Sequence, residues 1–256
     1  MRVEPVSLRW SDSVPPAQLG GVAARTLART LCELAEDGVQ DVAIVPLFLG
    51  PSDGLRAALE AARLDPRSPE RIALSPCLVD SASPDDARVA RAMAAGILRT
   101  GRVNRLPSPY RVVLVDHGTT SRAVNAVRTR LADTVRSLLG SRALVVAEAS
   151  MERRQDPEYD FNDPLLECLV GIEPPFDSGD VIVSMAFLQP GKHAGAGGDV
   201  AQILNSARER SPGLNTYVTP LLGAATSIHN VLRDRAVAAH AILQSCSNER
   251  LLARCR

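Results

Sequence analysis

The stretch Arg111-Val112-Val113-Leu114-Val115-Asp116-His117-Gly118-Thr119-Thr120 decides the fold. Its apolar, β-branched run reads as a strand, and the glycine behind His117 ends it. Residues 123–139 then read as a helix, with Gly140 as its C-cap. A strand that leads through a short loop into a helix is one step of a βαβ chain, and the same alternation runs through the rest of the sequence. Strands are expected at 3–8, 41–49, 71–78, 111–116, 143–150, 180–188 and 216–221. Helices are expected at 16–37, 54–63, 84–100, 123–139, 164–170, 199–210 and 228–244, with Asp199 as an N-cap. The fold class is α/β with mostly parallel sheets.

A long-period repeat divides the chain. Val45-Pro46-Leu47-Phe48-Leu49-Gly50-Pro51 resembles Met185-Ala186-Phe187-Leu188-Gln189-Pro190, with Phe48 opposite Phe187. Ser75-Pro76-Cys77-Leu78 resembles Thr219-Pro220-Leu221-Leu222, which sets Arg91 opposite Arg235, and Val6-Ser7-Leu8-Arg9 resembles Ala149-Ser150-Met151-Glu152. All share an offset of roughly 140 residues, which predicts two related halves, 1–103 and 108–256, joined by the proline-bearing stretch 102–109. The first half has no counterpart to 111–139 and begins at the second strand of the unit. A sheet edge exposed at 3–8 would be covered by a second copy of the chain, making a homodimer.

At 256 residues the chain can bury a large core, and 29 basic residues balance 29 acidic ones. No net field favours nucleic acid or an anionic membrane, so an anionic ligand must be met by a local patch. No apolar run is long enough to span a bilayer and the start carries no signal-like apolar segment, so a cytoplasmic protein is expected. Cys32, Cys77, Cys168, Cys246 and Cys255 are odd in number and never spaced C-x-x-C, which argues against a disulfide framework and a zinc ribbon.

His117, Glu152 and His193 each fall just past the end of a strand, where open α/β sheets bind ligands. Two imidazoles and a carboxylate facing one cleft suit a borderline divalent ion such as Co²⁺, Fe²⁺ or Ni²⁺. Each alone has a plainer reading: a histidine after a strand serves as a loop or capping residue, and Glu152 beside Arg153 and Arg154 as a surface acid. The other two histidines read as structural, His229 at a helix start and His240 within a helix. The glycine-rich 191–198 stretch lacks both G-x-x-x-x-G-K-[ST] and G-x-G-x-x-G, so nucleotide binding is not expected.

At these residues the sequence resembles the class II (CbiX-type) tetrapyrrole chelatases. The resemblance lies in Val115-Asp116-His117-Gly118, in Met151-Glu152, and in Phe187-Leu188-Gln189-Pro190-Gly191-Lys192-His193 followed by Gly198-Asp199. It implies two flavodoxin-like halves and ATP-independent insertion of Co²⁺ or Fe²⁺ into sirohydrochlorin or a related tetrapyrrole, a lyase activity of siroheme, cobalamin and porphyrin biosynthesis. It further implies that His117 and His193 bind the ion and accept pyrrole protons, with Glu152 as third ligand or proton acceptor and no organic cofactor. Lys192, Arg122, Arg153 and Arg154 are the nearest cations for the substrate's carboxylates. The chain departs from the family in having Asp116 where glycine is usual and in an insertion, 153–160, after Glu152, which makes Asp160 the alternative acid. In the first half the acid position reads Arg9 and the histidine position falls near Gly54, so that half has lost the ligands. A non-catalytic tetrapyrrole- or metal-binding homologue is the alternative. A hydrolase or phosphatase using His117 as nucleophile ranks last, because Asp116 stands where phosphohistidine chemistry wants an arginine.

Overall fold

The computed structural model describes residues 2–8 and 11–245. Its strands are β1 (Asp41–Ile44), β2 (Arg71–Leu74), β3 (Tyr110–Asp116), β4 (Ala143–Ser150), β5 (Gly179–Met185) and β6 (Leu214–Val218). Its helices are α1 (Leu27–Glu36), α2 (Asp53–Leu64), α3 (Arg88–Val103), α4 (Arg122–Leu139), α5 (Leu166–Leu169), α6 (Asp199–Arg210) and α7 (Thr226–Ser245). Two compact units divide them: Leu78–Leu232, and Met1–Cys77 with Arg233–Arg256. Among the described residues no helix is long and apolar enough to cross a membrane.

In the Leu78–Leu232 unit four parallel strands run in the order β4-β3-β5-β6. Val112, Val113, Leu114 and Val115 are fully buried because β3 has a strand on each side and helices on both faces. One face packs Val113, Val115, Val181 and Val183 against Leu166 of α5 and Leu204 of α6. The other is covered by α3 and α4, α3 lying on β5. The chain steps outward from β3 to β4 and then returns past β3 to β5 and β6. This leaves the switch point of a doubly wound sheet between β3 and β5.

The other unit holds a parallel pair, β1 and β2. Leu27, Leu31, Leu55 and Leu59 from α1 and α2 close over Ile72 and Leu74. Ala239 and Leu243 of α7 pack on Ala73, and the Arg235 guanidinium donates to the Cys77 carbonyl at 3.2 Å. The repeat halves and the compact units are therefore different partitions. The last helix of the first half, α3, belongs with β5, while its counterpart α7 passes after Leu232 into the unit of β1 and β2. The 102–109 stretch consequently lies inside one unit rather than joining two.

The strand expected at 3–8 is replaced by a single bridge between Ser7 and Thr26. The reason is a missing neighbour: the equivalent strand, β4, is laddered to β3, and the described residues of the first half include no counterpart of β3. The sheet edge that was to be covered by a second subunit therefore does not form at 3–8. The helix expected at 16–37 is broken into a 3-10 turn at Pro16–Leu19 and α1, because Gly20 and Gly21 take left-handed backbone (φ 68° and 87°). β1, β2 and β6 stop before Pro46, Pro76 and Pro220, none of which can donate to a ladder. Cys32 and Cys168 are free thiols, and Cys77 is buried. Arg9, Cys246 and Cys255 lie outside the described residues.

Candidate functional site

The strand order brings the three expected residues together. His117 follows β3, Glu152 follows β4 and His193 follows β5, and these strands are neighbours running the same way, so their carboxyl ends open onto one edge. The His117 and His193 rings meet edge to face, centroids 4.6 Å apart and planes at 80°. His117 Nε2 lies 3.5 Å from Glu152 Oε1. His193 is about a quarter exposed (28%), His117 half (47%) and Glu152 more (59%), so the group is open to solvent. Among the described residues no three His, Cys, Asp or Glu side chains already stand close enough to hold an ion, so closure on one requires side-chain movement.

Local backbone fixes the pair His117 and Glu152. Gly118 has φ 90°, and a Cβ there would lie 1.9 Å from the Glu152 carbonyl oxygen, so only glycine lets the two strand ends touch. Met151 N–H donates to the Asp116 carbonyl (2.8 Å) and Glu152 N–H to that of His117 (3.2 Å), extending the ladder one step past β3 and β4. His117 Nδ1 faces the Gly118 carbonyl at 3.2 Å, which can only accept.

Glycines likewise shape the loop 186–198. A Cβ at Gly198 would meet the Lys192 carbonyl at 2.5 Å, and one at Gly195 the Gly191 carbonyl at 2.6 Å. The loop therefore folds onto the start of α6, where Asp199 N–H donates to Lys192 O (3.2 Å) and Val200 N–H to His193 O (3.1 Å). At its other end the Phe187 and Leu188 carbonyls accept from Leu222 and Gly223 N–H, both at 2.8 Å. Asp199 is not the N-cap; Gly198 is, and the Asp199 carboxylate instead takes His193 Nδ1 at 2.6 Å.

Asp116, where the resembled family has glycine, turns away from the histidines. Its carboxylate accepts from Gly118 N–H (3.1 Å) and Ser150 hydroxyl (2.9 Å) and pairs with Arg128 (3.4 Å). Arg128 is 4% exposed and holds Glu148 (3.0 Å), Ser150 and the carbonyls of Phe161 and Asn162. Asn162, fully buried, exchanges two 2.9 Å hydrogen bonds with the backbone of Thr119. Asn162 also donates to the Tyr159 carbonyl (2.9 Å), so the end of the 153–160 insertion is tied to the turn that carries His117. Sequence reading missed both residues, although Arg128 interrupts the buried stripe Val127, Leu131, Ala132 and Val135, which is a readable signal.

Two of the four expected substrate cations, Arg153 and Arg154, lie on that insertion. Arg122 opens α4 with its guanidinium 4.6 Å from the Phe161 ring centroid, and Arg154 lies 5.4 Å from that of Tyr159. Arg153 is held by Asp160 (3.0 Å) and Asp163 (2.9 Å), so Asp160, the alternative acid, is engaged there while Glu152 stands at His117. Lys192 is exposed beside His193, and its ammonium makes no hydrogen bond or ion pair among the described residues. His229 donates to the Gly223 carbonyl (2.9 Å) near the start of α7, and His240 meets Gln244 within it.

The fold is that of the class II, CbiX-type chelatases. The chain superposes on SirB from Bacillus subtilis with Fe³⁺ at a TM-score of 0.59 and 13% identity, over 86% of this chain and 79% of that one. It matches the sirohydrochlorin chelatase SirB from Bacillus subtilis subspecies spizizenii in complex with cobalt at 0.59 and 13%, over 88% and 80%. It matches CbiX, the terminal enzyme for biosynthesis of siroheme in denitrifying bacteria, at 0.57 and 18%, over 88% and 84%. In sequence, no family model and no curated protein matches.

Proposed function

We propose that the chain inserts a divalent metal, Co²⁺ or Fe²⁺, into sirohydrochlorin or a related tetrapyrrole without ATP. The observation that carries this is the meeting of His117 and His193, with Glu152 beside them, at the carboxyl edge of adjacent parallel strands. The likeness in fold to a sirohydrochlorin chelatase, SirB, and to CbiX, the terminal enzyme for biosynthesis of siroheme, supports it. The ion is a substrate here. His117 and His193 deliver it, each through Nε2, and Glu152 is the third ligand or receives a proton. Insertion releases two pyrrole N–H protons for each divalent ion taken up. A neutral imidazole freed of the metal accepts one, and Glu152 relays protons to the solvent it faces. Lys192, Arg122, Arg153 and Arg154 meet the macrocycle's carboxylates, and positioning of the ring supplies most of the rate.

The test is absorbance-monitored metal insertion into sirohydrochlorin with Co²⁺, Fe²⁺ and Ni²⁺ in parallel. Wild type should accelerate insertion of at least one ion and a His117→Ala/His193→Ala double variant should not. No acceleration by wild type, or full activity in the double variant, ends the proposal. A second reading, stoichiometric tetrapyrrole or metal binding without turnover, is favoured by Asp116, which stands where the resembled family has glycine. Saturable binding with no catalysed insertion would select it.

A further inference from the structure

We infer that Asp199 is the positioning residue of His193, locking its ring as the Nδ1–H tautomer and turning Nε2 toward the gap shared with His117. The inference rests on the proposed role of His193 as an ion ligand. A carboxylate only accepts, so the 2.6 Å contact requires the proton on Nδ1. Asp199 is available because α6 does not use it: the helix begins at Gly198 without a side-chain cap. The glycines of the loop and the two backbone bonds from 199 and 200 to 192 and 193 set the partners opposite each other. The helix N-terminus also favours a negative charge at this position.

The two histidines are thereby held unequally. His193 Nδ1 has a short, charge-assisted bond from a part-buried ring, whereas His117 Nδ1 meets a neutral carbonyl at 3.2 Å and its Nε2 stands 3.5 Å from the exposed Glu152 carboxylate. A carboxylate behind a ligating imidazole fixes its orientation and strengthens it as a donor, and losing such a partner typically weakens metal affinity about 10- to 100-fold. His193 is then the anchoring ligand and His117 the one that moves.

The experiment uses the full chain with ¹⁵N-labelled histidine, read by long-range ¹H–¹⁵N spectra at alkaline pH, together with calorimetric Co²⁺ titration. Wild-type His193 should show the Nδ1–H pattern alone. Asp199→Ala should give mixed tautomers at His193 only and Co²⁺ affinity lower by about 10- to 100-fold. Asp199→Glu should recover most of both, and Asp199→Asn, which keeps a polar group at the helix start, guards against a folding defect. A wild-type His193 carrying its proton on Nε2, or an Asp199→Ala protein with unchanged tautomer and unchanged affinity, overturns the inference. If wild type binds no Co²⁺, the proposed function fails, while the spectra still decide whether Asp199 positions His193.

Discussion

The connections β1 to α2 and β5 to α6 occupy equivalent places in the two repeat halves, yet they use their polar groups for opposite ends. In the first, the chain enters α2 through Ser52, whose hydroxyl accepts from Leu55 N–H at 3.2 Å and closes the helix start. In the second, a longer loop enters α6 through a glycine, and the first acid of the helix is turned outward to His193. One design satisfies the helix and leaves nothing over; the other leaves the helix start less well capped and gains an oriented imidazole. A site of this kind needs a residue withheld from secondary structure, and only the second half withholds one.

The largest expected break in this contrast comes from placing the same small side chain in both halves. Gly118→Ala forces an L residue to φ 90° and drives a Cβ to 1.9 Å from the Glu152 carbonyl. Left-handed strain of about 1–3 kcal/mol and overpacking of similar size sum to about 4 kcal/mol, with His117 displaced from Glu152 and insertion activity lost. Gly54→Ala, near the first half's histidine position, meets Leu8 Cδ1 and Ser52 Oγ at 3.7 Å among the described residues, within the first turn of α2. It should stabilise by about 0.5 kcal/mol and leave activity unchanged. Urea denaturation and the insertion assay on the two variants read both arms; similar losses in the two would mean that the halves are not differently built.

A second, smaller break targets α4, which has no counterpart among the described residues of the first half. Arg128→Met leaves Asp116 and Glu148 without their shared cation in a pocket where the guanidinium is almost sealed from water. Unpairing buried charge usually costs about 3–5 kcal/mol, and the lower end, about 3 kcal/mol, is expected because both carboxylates reach some solvent. The Thr119 turn would also lose part of its link to the insertion. The check is urea denaturation beside Co²⁺ binding: destabilisation with weakened binding supports the network's role in holding His117, and unchanged stability argues against it.

How much of this could be read from sequence depended on whether a residue's role is local. β4 and α6 fall where the sequence places them, at 143–150 and 199–210, because each is bounded by its own breakers. The three strand-end residues were legible because a parallel sheet gathers such positions wherever the strands are neighbours. The strand at 3–8 was not, since a strand exists only beside a neighbour, and among the described residues the segment finds just the Ser7–Thr26 bridge. Asp199 was misread for a related reason: an acid behind glycine is a good cap by local rules, and only the fold of the 186–198 loop brings a competing imidazole to it. The links from Arg128 to Asn162 and from Asn162 to the His117 turn join residues 34 and 43 positions apart and carry no local pattern.

The smallest expected effect tests the other side of the comparison. If the first half uses Ser52 for its helix and nothing else, Ser52→Ala should cost about 1 kcal/mol through the lost cap, visible as a lower urea midpoint. Co²⁺ affinity and insertion rate should stay at wild-type values, because no group of the β1–α2 connection is needed for either. Asp199→Ala should do the reverse, changing affinity strongly and stability little, since its carboxylate makes no capping bond to α6. The two variants together form a crossed pair in which equivalent positions separate helix closure from ligand orientation. A Ser52→Ala protein that binds Co²⁺ more weakly would break that separation and return the first half to a direct part in the chemistry.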